Sequence, residues 1–387
     1  MKPARDERLD LFRGLALIFI FVNHIPQNVV SLFTNRTWGF SDATEIFVFV
    51  SGYAAALAYG RIAAREGLLR AALHVLGRVW QLYVAHILLF VAFVAQIAWL
   101  AMKAGNPMLA EEMAIIEFMN DPVVVLIEAL QLKFRPVNMD VLPLYIVLLL
   151  ALPPMLWLLR RRPLWLLAGS AALYALVQFT GVNLPAYPVG AHWFFNPMAW
   201  QFLFVLGALA AARPDWNVPP SRAVDWLAGA YLLFAFVVVM SWSFEWVAGL
   251  VPALVEAAIY PIKKTDLDPL RLLHFLALAY VALRLLALRP GLAAHPFTAP
   301  LRACGRHSLQ VFCCGIFLSF TGHFVLVEFG SGLEMQVLVS AAGIGVMVAL
   351  AYSRDWIRRG MRSAPAMREV ERQDRSASAA ERVRRSA

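Results

Sequence analysis

The sequence predicts an all-α, polytopic integral membrane protein, with about ten transmembrane helices in one bundle. Three observations lead there. Of 387 residues, 61% are hydrophobic and only 15% charged, whereas a soluble chain carries about a quarter charged residues. Apolar runs near the roughly 20-residue length that crosses a bilayer recur along almost the whole chain. The basic residues fall in alternate connections, as the positive-inside bias of cytoplasmic loops requires.

In chain order the expected spans are 12–33, 43–60, 82–102, 141–159, 164–181, 197–212, 224–242, 270–288, 308–326 and 335–353. The N-terminal run reads as a retained first helix rather than a cleaved signal, because no small-residue cleavage site follows it. A further stretch, 244–261, is interrupted by Glu245, Pro252 and Glu256, so an eleventh span, a re-entrant piece and an interfacial helix all suit it. Loop charge chooses ten spans. Lys2, Arg5 and Arg8, then Arg61 to Arg78, Arg160 to Arg162, Arg213 with Arg222, and the tail from Arg354 all fall on the cytoplasmic side. Both termini are then cytoplasmic, and 244–269 lies on the outer face. Residues 1–359 form the transmembrane domain, and the basic, Ser/Ala-rich segment 360–387 is expected to be a disordered or weakly helical tail. The net charge of +9 follows the membrane orientation and does not point to nucleic acid. The three cysteines have neither disulfide nor zinc-ligand spacing, so no metal is expected; adjacent Cys313 and Cys314 read as small core residues.

Polar residues inside or beside the spans are the candidates for chemistry, because lipid makes them costly without a role. Arg13 and His24 are eleven residues apart, which on a helix is about 20° beyond three full turns and a rise of about 16 Å. Both therefore lie on one inward face, with Pro26 expected to bend the helix near His24. His24 reads either as a buried histidine bonded to a neighbouring helix or as a general base. Glu45 sits inside the second apolar run and Asp42 at its start; either could orient His24, and a structural ion pair with an arginine is the alternative. Ser51 and Gly52 allow close helix packing. His86 reads as a packed core histidine or as a support behind the site. Around "AHWFFNPMAWQFLFVLG", His192, Trp193, Asn196 and Gln201 could bind a polar substrate such as a sugar, with Trp193 and Trp200 stacking; an interfacial aromatic belt explains the tryptophans equally. Lys264, Asp266, Arg271 and His274 concentrate at the start of a helix, where they could hold a carboxylate or phosphate or simply anchor the interface.

"RLDLFRGLALIFIFVNHIP" followed by "GFSDATEIFVFVSGYAAALAYG" closely resembles the OpgC family of bacterial inner-membrane proteins, and "HWFFNPMAWQFLFVLG" and "KTDLDPLRLLHFLALAY" resemble its later blocks. The resemblance runs from about Arg8 to Arg359. OpgC proteins are associated with O-succinylation of osmoregulated periplasmic glucans and are similar to the acyltransferase-3 superfamily, whose first helix carries Arg, ten residues, His. Arg13 and His24 match that spacing. The resemblance implies O-acyl transfer from a cytoplasmic acyl-CoA (succinyl-CoA or acetyl-CoA) to hydroxyls of a periplasmic glucan or other extracytoplasmic glycan. It also implies His24 as the essential base, with no bound cofactor. Arg13 would hold the donor's phosphate or carboxylate. Membrane lipid and glucan-synthesis proteins are the remaining expected partners. The alternative is a transporter of the acyl group or of an oligosaccharide, which intramembrane His, Arg and Glu would also suit.

Overall fold

The computed structural model describes residues 6–385 except 245, 246 and 248, with side chains described through Arg359. Glu245, one of the three interruptions expected in 244–261, lies outside the described residues, as do the tail's side chains. Among the described residues the regular structure is helical, apart from one isolated antiparallel bridge between Pro185 and His192, and the helices are joined by loops.

Helix α1 (Glu7–Asn23) is capped by Asp6, whose side chain accepts from the Arg8 backbone N–H, and it stops ten residues before the expected end of the first span. His24 is its C-cap, Pro26 follows two residues later, and Gln27 adopts φ 55°. Proline disfavours helical geometry in the residue before it, so Pro26 ends α1 rather than bending it. The chain then forms short 3-10 turns over Val29–Phe33 and Asn35–Thr37. His24 is consequently at the end of a helix, not deep within one.

Helix α2 (Ala43–Glu66) starts in a capping box: Asp42 accepts from Thr44 N–H, and Glu45 accepts from Asp42 N–H. Helix α3 (Leu68–Ala104) begins fourteen residues before the expected third span. Its buried positions Val75, Leu82, His86, Leu89, Phe93 and Ile97 follow a helical stripe that carries it past Arg70 and Arg78 on the outward side. Short helices α4 (Met108–Glu112), α5 (Ile116–Asn120) and α6 (Pro122–Leu130) follow. The fourth span is broken: α7 (Val141–Leu150) and α8 (Leu152–Arg161) meet at 51°. Pro153 and Pro154 lack the N–H groups that would continue α7's ladder.

Helices α9 (Pro163–Thr180), α10 (Pro197–Ala212), α11 (Arg222–Ser243), short α12 (Ala253–Ile259) and α13 (Pro269–Leu288) come next. They are followed by short α14 (Ala299–Arg306), α15 (Ser308–Phe329) and α16 (Leu333–Arg385). Among the described residues, nothing between α11 and α13 is long enough to span, so 244–261 supplies no eleventh crossing. Helix α16 continues as one helix into the tail.

Among the described residues, seven helices are long and apolar enough to cross a membrane, and the bent α7–α8 pair, taken as one span, makes an eighth. Helices α1 and α10, with 17 and 16 residues, are shorter, about 25 Å each. They lie in the middle. Trp200, Leu203, Phe204 and Val205 of α10 are fully buried, and α10 packs most intimately on α2. Gly52 and Gly207 make that approach possible. A Cβ on Gly52 would collide with the Phe204 carbonyl, and one on Gly207 with the Phe49 carbonyl. Helix α11 packs on α13 and, with Phe40 and Val251, forms a small second apolar cluster at the bundle's edge. Large apolar side chains such as Leu88 and Trp226 face outward, as a lipid-facing surface requires. Two short central helices among longer neighbours leave an indentation at one end of the bundle.

Candidate functional site

That indentation is a cavity of about 660 Å³. Five segments build its wall: the end of α1 with His24; the turns and cap leading into α2, with Arg36 and Asp42; the 133–141 connection into α7; the 186–195 loop before α10; and Lys264 with Arg271 at the start of α13. All lie at one end of the bundle. The arginine-rich connections lie at the other end, where Arg160 donates to the Ala63 carbonyl at 2.7 Å and Arg302 pairs with Glu7 at 2.6 Å.

His24 lines the cavity. Its Nδ1 is buried with no hydrogen-bond partner among the described residues. Neither expected carboxylate is therefore bonded to that nitrogen. Glu45 is fully buried and receives Arg271 instead, through Nε at 2.8 Å and Nη2 at 2.6 Å. Asp42 Oδ2 meets Lys264 Nζ at 2.5 Å and Arg271 Nη2 at 3.3 Å. The reason is the capping box: it turns both carboxylates toward the start of their own helix, where α13 delivers its cations. Burial by itself would raise the Asp42 carboxyl, but Lys264 and Arg271 outweigh it and hold the group well below the usual carboxylate range. At Asp140, burial prevails over its partner Arg135, 2.9 Å away, and the carboxyl is pushed up.

The loop carrying Lys264 is irregular but firmly held. Trp200 Nε1 donates to the Lys264 and Thr265 carbonyls at 3.2 and 3.1 Å. Gln178 donates to the Asp266 carbonyl and Tyr174 to the Leu267 carbonyl, each at 2.7 Å. Asn196 donates its backbone N–H to the Thr265 carbonyl at 3.0 Å and its Nδ2 to Asp266 Oδ1 at 2.9 Å.

Several expected substrate-binding residues thus support the site from behind. Asn196 caps α10 and clamps the loop; Asp266 is its acceptor; Trp200 is fully buried, so it stacks on no sugar. Gln201 is buried against Ser170, donating to its carbonyl at 2.9 Å. Trp193 is buried, with the Arg135 guanidinium 4.4 Å from its ring centre. His274 accepts through Nδ1 from Ser41 N–H at 3.2 Å and packs against Gly39. His86 is fully buried, with neither ring nitrogen hydrogen-bonded among the described residues, and it does not line the cavity. Arg13 lies along α1, about 16 Å of helix rise from His24, and also lies off the cavity wall. His24, Asp42, His192, Lys264 and Arg271 are the expected residues that the fold brings to the cavity.

Sequence reasoning missed Arg36, Lys133, Arg135, Asp140 and Tyr187, which share that wall. The signal was present in "LKFRPVNMD", a polar run directly before an apolar helix. Arg36 was hidden in the short Asn35-Arg36-Thr37 turn.

Fold and site define a polytopic helical membrane protein with a charged cavity at one mouth of its bundle. The chain belongs to the OpgC family: the family model described as OpgC protein matches residues 5–359. It therefore has a role in the modification of osmoregulated periplasmic glucans. No curated protein and no solved structure matches it.

Proposed function

We propose that the protein is an O-acyltransferase of the bacterial inner membrane, with both termini cytoplasmic. It transfers an acyl group, succinyl in the favoured reading, from a cytoplasmic acyl-CoA to a hydroxyl of a periplasmic glucan. The observation that carries this reading is His24, whose buried Nδ1 has no hydrogen-bond partner among the described residues, on the wall of a polar cavity at one mouth of the bundle. A thioester is already activated, so the reaction needs a base for the incoming hydroxyl and positive charge where the oxyanion forms. His24 removes the hydroxyl proton as the sugar oxygen attacks the thioester carbon. The C–S bond then breaks as the C–O bond of the ester completes, and the proton passes from His24 to the CoA sulfur. Arg13, three turns toward the cytoplasm on the same helix, holds the donor's phosphate or carboxylate. Asp42, Glu45 and Arg271 fix the mouth around the base rather than reacting themselves.

The test is direct. Purified protein in detergent receives labelled succinyl-CoA or acetyl-CoA and a glucan, and ester formation is measured. Wild type forms ester and His24→Ala loses about a thousandfold or more, the order expected for removal of a general base. Ester formation that survives His24→Ala removes the base assignment. Absence of transfer from either donor, combined with uptake of oligosaccharide into proteoliposomes, would favour transport instead.

A further inference from the structure

The two cations that meet Asp42 are not equivalent. Arg271 is 9% exposed and fastened to Glu45 by two bonds, so its charge is fully committed to the fold. Lys264 has a side chain 30% exposed on the cavity wall, while its backbone is clamped by Trp200. Asp42 keeps Arg271 at 3.3 Å whether or not Lys264 stays. Lys264 is thus a cation that can turn from its carboxylate toward a ligand without leaving a buried charge unpaired. On the wall of the same cavity, Arg36 reaches the Asn23 carbonyl at 3.4 Å, and no carboxylate pairs with it among the described residues. It stands beside the residue that precedes His24. The cavity that holds the proposed base therefore also offers two adaptable positive groups.

Direction decides what they meet. A thioester brought to His24 from the cytoplasmic end points its acyl tail further outward, into the cavity. A neutral acetyl group would place nothing near Lys264 or Arg36, whereas an acyl chain ending in a second carboxylate would present an anion to both. We propose that Lys264 and Arg36 form the subsite that recognises the free carboxylate of a dicarboxylic acyl group, and so set acyl selectivity. The proposal rests on the transferase reading above.

The experiment compares kcat/KM for succinyl-CoA and acetyl-CoA in wild type, Lys264→Met, Arg36→Met, the double variant and Lys264→Arg, all full length. It also measures binding of succinate alone by calorimetry. The expected result is a succinyl-to-acetyl ratio that falls about tenfold in each single methionine variant, further in the double, and largely recovers in Lys264→Arg, because a charge-assisted bond to a carboxylate is lost and then restored. Succinate binding weakens in parallel. An unchanged ratio in the double variant overturns the proposal, even if overall turnover falls, because Lys264 would then act on the fold or on the reacting carbonyl. A wild type that binds succinate through Lys264 but transfers no acyl group refutes the transferase reading while the carboxylate subsite stands. A wild type that neither transfers nor binds overturns both.

Discussion

Arg271→Met should destabilise the protein more than any other single change in the charge cluster at the cavity. The substitution removes the cation that Glu45 Oε1 meets at 2.8 and 2.6 Å. Glu45, 0% exposed, keeps one hydrogen bond, from Asp42 N–H at 2.8 Å. An uncompensated buried charge costs about 3–5 kcal/mol. Lys264→Met is different. Asp42 retains Arg271 at 3.3 Å and the Thr44 N–H at 2.8 Å, and the lost partner is partly in water. That loss is about 1 kcal/mol or less. Glu45→Gln falls between, since Arg271 keeps only its longer contact to Asp42. Glu45→Gln/Arg271→Met should recover part of the loss, because neither charge is then stranded. The assay is thermal unfolding in detergent read by a thiol-reactive dye, which suits a chain whose Cys304 is fully buried. At about 2–4 °C per kcal/mol for a mid-sized domain and less for a longer chain, Arg271→Met lowers Tm by about 5–10 °C. Equal Tm losses for Lys264→Met and Arg271→Met would refute the division between a structural and an adaptable cation.

Other outcomes follow from the same geometry. Gly52→Leu should abolish folding or cost more than about 3 kcal/mol, because the new side chain meets the Phe204 carbonyl; size-exclusion yield and Tm check it. His24→Ala should shift Tm by less than about 2 °C, since Nδ1 has no hydrogen-bond partner to lose among the described residues, while acyl transfer disappears; a large Tm drop would make His24 a structural residue. Asp42, whose folded pKa is depressed, contributes stability that is full above its unfolded value of about 3.9 and is lost as pH falls toward the folded value. Tm should therefore fall more steeply as pH drops from about 5 to 2 in wild type than in Asp42→Asn, and parallel slopes would remove Asp42 as the source. Replacing Pro153 and Pro154 together by Ala should straighten the 51° break, which a spin-label distance between α7 and α8 would report as a longer end-to-end separation.

Composition and the recurrence of apolar runs determined by themselves that this is an all-helical membrane bundle, because lipid leaves the backbone few other options. The sequence likewise marked the cavity residues His24, Asp42, Lys264 and Arg271, since a polar group in an apolar run or at its edge stands out. It also carried the sign that α1 would stop near Pro26, although helical periodicity alone extended the span to residue 33. Who pairs with whom was decided only by tertiary structure. Glu45 and Arg271 are 226 residues apart, and their contact depends on α13 starting beside the α2 cap. The same holds for Trp200 and Asn196, which became clamps for the Lys264 loop rather than a sugar platform because α10 is the central, shortest span and its N-terminus lies beneath that loop. Local pattern records which side chains are costly in lipid. Only the packing of helix ends records which partner relieves that cost.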